Sequence, residues 1–101
     1  MGKYQVELTS DAIEDLQDAY DYYDSIKPNL GLEFFVEIQE ELRKLENFPH
    51  YQKIFKDIRR LTNKRFKYNI YFYLEEHPNY KTVVIAFLHG SRDDRAWKDR
   101  L

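Results

Sequence analysis

The 101 residues include no cysteine. That removes disulfide staples, thiolate nucleophiles and any cysteine-ligated zinc or iron–sulfur centre, and it is compatible with a reducing compartment. Glycine and proline are scarce, three of each, and no linker, repeat or low-complexity run is visible. No apolar run approaches the ~18 residues that a membrane span needs, and the start MGKYQVELTS lacks the apolar core of a signal peptide. A cytoplasmic single domain over residues 1–101 is expected, without membrane, metal or cofactor. A chain of this length buries more than about 60% of its unfolded surface and can stand without staples.

Positive charge is what the first half lacks. Residues 1–50 carry four Lys or Arg against twelve Asp or Glu, whereas residues 51–101 carry twelve against six, so a net charge of −2 conceals halves of opposite sign. The asymmetry points either to a basic working face or to an acidic, solvated pair of helices beside it.

Tyr4, Val6 and Leu8 alternate with Gln5 and Glu7, the pattern of a short strand with one buried face. Thr9 and Ser10 offer N-cap hydroxyls, and Asp11, Glu14 and Asp15 place carboxylates where a helix dipole favours them. Ala12, Ile13, Leu16, Ala19, Tyr20, Tyr23 and Ile26 then follow the spacing of one helical stripe. The six carboxylates from Asp11 to Asp24 lie on this helix, not on the glycine-containing loop that a calcium site requires. Pro28 and Gly31 break it. A second helix follows, with Phe34, Phe35, Ile38, Leu42 and Leu45 on one face, and Pro49 ends it. The two helices form a hairpin that must cover an apolar surface.

The second half supplies that surface. Tyr51–Phe55 reads as an irregular or edge segment, and Arg59, Arg60 and Leu61 read as the end of a strand that turns at Asn63 and Lys64. Beyond the turn, Phe66, Tyr68, Ile70, Phe72 and Leu74 alternate with Arg65, Lys67, Asn69, Tyr71 and Tyr73, which predicts one core face and one basic, aromatic face. Residues 82–89, TVVIAFLH, are apolar almost throughout and are expected at the sheet centre with both faces covered. The tail is polar apart from Ala96 and Trp97. The predicted class is α+β, in the order β-α-α-β-β-β.

These residues resemble the RelE/ParE superfamily of toxins from type II toxin–antitoxin systems, and most of all its ParE, plasmid-stabilisation branch. The likeness is carried by Ala12, Asp15, Leu16, Tyr22 and Tyr23 in the first helix, and by Leu30, Gly31, Phe34, Leu42 and Pro49 around the second. It continues in the pair Arg59–Arg60, the element Arg65 to Tyr68, and the final series His89, Arg92, Asp93, Trp97 and Arg100. Lys67 stands where such proteins carry a proline, and so does Asp94. The resemblance implies a two-helix hairpin on a small, twisted, mainly antiparallel sheet. It also implies growth inhibition by a toxin that a cognate antitoxin silences by wrapping it. One branch of the superfamily poisons DNA gyrase and another cuts messenger RNA on the ribosome.

A metal-free ribonuclease needs cations on the phosphate and groups that move protons. His89, Arg65 and Arg92 are its candidates, with Arg59 as a further phosphate ligand and Tyr71 or Tyr73 to stack on a base. The same residues also have a structural reading, in which His89 caps a strand, Arg92 pairs with Asp93 or Asp94, and the tyrosines complete the sheet. A pI near 5.9 is poorly suited to a protein that must sit on polyanionic ribosomal RNA. The expected activity is therefore that of a ParE-like toxin binding a protein target, DNA gyrase, without itself being a catalyst. Target- or antitoxin-binding candidates are Arg59, Arg60, Arg65, Arg92, Trp97 and Arg100, Trp97 being either an anchor for the tail or an exposed hot spot. The alternatives are a ribosome-dependent messenger endoribonuclease and a family member that only binds antitoxin.

Overall fold

Two helices cross one face of a five-stranded sheet in the computed structural model, which describes residues 2–93 and 95–101. The elements are β1 (Gln5–Leu8), α1 (Ser10–Ile26), α2 (Leu30–Asn47), β2 (Lys53–Phe55), β3 (Ile58–Asn63), β4 (Tyr68–Glu75) and β5 (Lys81–His89), followed by a 3-10 turn over Lys98–Arg100. Spatial order is β1-β5-β4-β3-β2, with β1 parallel to β5 and the other pairs antiparallel. The segment expected to be irregular or an edge thus contributes a short edge strand, β2. The centre of the sheet is β4, and β5 lies one place further out.

α1 is set by its cap, the Thr9 hydroxyl accepting the Ala12 N–H at 3.2 Å. Ala12 and Ala19 are buried, with Leu16 and Tyr23 packed beside them, while Ile13 and Ile26 turn to solvent. The seven-residue stripe is therefore wider than the face that the sheet covers. α2 buries Phe34, Ile38 and Leu45 completely, each worth roughly 1.5–3 kcal/mol over exposure. Its N-terminus has no cap from Asn29, whose φ is 71°. The Asp24 carboxylate at the end of α1 instead accepts the Asn29 and Gly31 N–H groups at 3.1 and 3.3 Å.

Gly31 lies inside α2, not before it, because the helices approach closely there. A Cβ at this position would stand 2.6 Å from the Tyr20 carbonyl oxygen and 3.1 Å from the Asp24 Cβ. Gly31→Ala improves helix propensity, yet it is expected to lower the unfolding free energy by about 1–3 kcal/mol through the clash. Urea denaturation measures this, and a stabilised variant would contradict the close approach.

The sheet carries a core on each face. Ile70, Phe72, Val84 and Phe87 meet the helices, while Ile58, Tyr71, Ile85, Ala86 and Leu88 meet Trp97 of the tail on the far side. This corrects the expected basic, aromatic face of β4. Asn69 and Tyr71 are buried, because the tail covers that side of the sheet. β4 also starts at Tyr68, later than the alternation suggested, since Arg65–Lys67 belong to the turn. Lys67 has φ 57°, a value closed to the proline it replaces, and its carbonyl accepts the Gly90 N–H at 2.6 Å. The second replaced proline position, Asp94, lies outside the described residues.

Candidate functional site: a groove beside the open end of the fifth strand

The site follows from a mismatch in strand length. β1 pairs with β5 only from Lys81 to Val84 and then turns into α1, so among the described residues Ile85–His89 have no strand on that side. Buried backbone groups need partners, and two distant side chains supply them. Asp15 of α1 accepts the Phe87 N–H at 3.0 Å, and Arg100 of the tail donates to the Ile85 carbonyl at 3.0 Å. Arg100 also forms a two-pronged ion pair with both carboxylate oxygens of Asp15. Helix, strand and tail meet in this clamp.

Past the clamp, the gap between α1 and β5 opens into two adjoining depressions of about 200 and 570 Å³. They share Tyr22, Tyr68 and His89, and Arg92 and Asp18 line the first of them. His89 ends β5 opposite Tyr68, their rings edge to face at 5.5 Å. Its Nδ1 accepts the Ser91 backbone N–H at 3.1 Å and lies 2.9 Å from the Ser91 hydroxyl, so the neutral ring carries its proton on Nε2. That is the strand-capping geometry of the structural reading. Arg92 is exposed and pairs with no carboxylate among the described residues; Asp93 instead accepts the Arg95 N–H.

The other sequence candidates are dispersed. Arg59 donates to the Tyr51 carbonyl at 2.7 Å, and Arg60 points to the opposite face of β3 and is itself engaged. Arg65 is held by Glu33 at 2.5 Å and Glu37 at 3.6 Å, outside the groove. Trp97 is fully buried and Arg100 belongs to the clamp, so neither is an exposed contact. Tyr71, also fully buried, cannot stack on a base. Of the nuclease candidates, only His89 and Arg92 come together. The groove's tyrosines and Asp18 were missed as site residues; the one signal was that Tyr22 and Tyr68 each stand among the residues that carry the resemblance.

Burial, reinforced by neighbouring Tyr23 and Asp15, pushes the Tyr68 hydroxyl up to about 12. At neutral pH it is a hydrogen-bond donor, not a base. Tyr4 is likewise pushed up to about 12, first by its 2.6 Å hydrogen bond to Glu76 and then by burial. Both phenols keep their protons in the fold where an unfolded tyrosine, near about 10, has lost them. Their contribution to stability is complete below pH about 10 and is lost as pH rises through about 12. A phenolate absorbance titration is expected to show Tyr4 and Tyr68 among its late tyrosines, and urea midpoints are expected to fall over that interval. Tyr4→Phe is expected to weaken the fall.

The fold is thus a helical hairpin on a mixed five-stranded sheet, with a groove between the first helix and the last strand. The model of the ParE toxin of type II toxin-antitoxin system, parDE, matches residues 6–94, and the chain belongs to that family. A solved structure of the chromosomal ParDE TA system from P. aeruginosa is similar in fold, with a TM-score of 0.74 at 20% identity over 86% of this chain and 96% of that one. No curated protein gives a significant match. Among the described residues no helix is long and apolar enough to cross a membrane, and no cluster of His, Asp and Glu has metal-binding form.

Proposed function

We propose that this ParE-family protein is a cytoplasmic toxin that acts by binding a protein target, DNA gyrase, and that a cognate antitoxin silences it. The observation that carries the choice of target is the dispersal of the nuclease candidates. Arg65 is neutralised by Glu33 and Glu37 away from the groove, Tyr68 holds its proton, and the groove's helical wall bears Asp15 and Asp18. A site whose arginine, unpaired among the described residues, stands beside Asp18 and the Asp15–Arg100 ion pair suits a protein surface better than a polyanion. For the antitoxin, the outer side of the helix hairpin offers an apolar depression of about 300 Å³ between Ile13, Leu16, Tyr20 and Phe35. Leu32 and Val36 are exposed nearby on α2, the form of a surface that takes an amphipathic helix.

A plasmid assay tests this. Purified protein with gyrase, ATP and supercoiled plasmid is expected to yield linear DNA, after denaturation and proteolysis, only when both proteins are present. His89→Ala is expected to weaken that effect without abolishing it. The convergence of His89 and Arg92 supports the second reading, messenger cleavage on the ribosome. Unchanged supercoiling together with ribosome-dependent cleavage that His89→Ala abolishes would decide for it.

A further inference from the structure

We infer that the groove receives an extended segment of the target protein, which continues the sheet along the unpaired end of β5 and presents a carboxylate to Arg92 and His89. The inference rests on the proposed role of this groove in target binding and adds the kind of segment that fits. Because the Phe87 N–H points to Asp15 and away from β4, the residues of the same parity direct their backbone groups to the same side. The Phe87 carbonyl and the His89 N–H therefore face the side on which β1 has already ended. Within the molecule, Asp15 and Arg100 act as a side-chain substitute for the missing strand as far as Ile85 and Phe87. The next rung is left to a partner, the arrangement that strand addition uses.

The side chains around that rung state the chemistry of the segment. The Arg92 guanidinium is unpaired among the described residues, and with Nδ1 committed to Ser91 the His89 ring directs its remaining N–H away from the strand cap. Both are donors for a carboxylate. Tyr22, 60% exposed, and Ile26, 57% exposed, extend an apolar wall beside them for the neighbouring side chain. The depressions hold two or three residues of extended chain, not a helix. A polyphosphate would face the Asp18 carboxylate, whereas a single acidic residue between apolar ones would meet Arg92 and leave that wall untouched.

The test is a titration of the ¹⁵N-labelled full chain with acetyl-Val-Glu-Val-amide and with acetyl-Val-Lys-Val-amide. The Glu peptide is expected to shift the amides of Phe87–Arg92 and Ala19–Tyr23 and to slow exchange of the His89 amide. It is expected to bind about tenfold more tightly than the Lys peptide, as one charge-assisted contact implies. Arg92→Glu is expected to reverse the order. Equal binding of the two peptides, shifts on another surface, or no binding of either overturns the inference. Poisoning of gyrase is scored separately: peptide binding without poisoning defeats the proposed function alone, and poisoning that survives Arg92→Glu unchanged defeats the role of this groove.

Discussion

Trp97→Ala is expected to lower the unfolding free energy by about 3–5 kcal/mol, the range for removing a large buried aromatic. For a domain whose total is about 5–15 kcal/mol, that approaches loss of the fold at physiological temperature. The indole is fully buried, with Tyr71 at 6.0 Å and Phe55 at 5.9 Å between ring centroids. It is the piece that closes the second core, since neither α1 nor α2 contributes to the far face of the sheet. Its N–H finds no partner among the described residues, so Trp97→Phe is expected to be milder, about 1–2 kcal/mol, by removing an unsatisfied donor along with some volume. Urea denaturation followed by circular dichroism measures both variants. A hot-spot role would give the opposite signature, unchanged stability with lost target binding.

Breaking the clamp is expected to cost nearly as much. Asp15 and Arg100 keep side-chain exposures of only 13% and 22%, so the pair is shielded from solvent and salt to a degree that surface pairs are not. Asp15→Ala removes the acceptor of two Arg100 nitrogens and of the Phe87 N–H together, and about 3 kcal/mol of stability is expected to go with it. Asp15→Asn keeps one acceptor oxygen and is expected to lose less. A double-mutant cycle with Arg100→Met measures the coupling, which is expected to exceed about 1 kcal/mol and to change little with added salt. Additive effects would mean that the two residues act independently. Local consequences are expected at the end of β5, where hydrogen exchange at Phe87 and Leu88 reports whether the substitute strand has been lost.

Much of the fold was legible locally. The Thr9 cap, the three-and-four spacing of α2 and the apolar run of β5 are short-range signals, and each marks the element that forms there. The resemblance carried by Asp15, Tyr22, Gly31, His89 and Arg100 pointed to the family that the chain belongs to. The candidate site was read less well. Arg59 and Arg60 are adjacent in sequence, yet a strand sends them to opposite faces. Arg65 looked available for phosphate because the carboxylates that hold it, Glu33 and Glu37, lie about thirty residues earlier on α2.

The sequence by itself determined where helices and strands form, that the helices are acidic outside and apolar inside, and that Trp97 is the large apolar residue of an otherwise polar tail, because capping, periodicity and side-chain size act over a few residues. Tertiary structure decided what those residues do. Only folding shows that β1 ends before β5 does, that Asp15 and Arg100, 85 positions apart in the chain, fill the place of the missing strand, and that Arg92 and His89 are left beside the opening. Strand length, register and the partner of each charge are settled by contacts between distant segments, which no local pattern records.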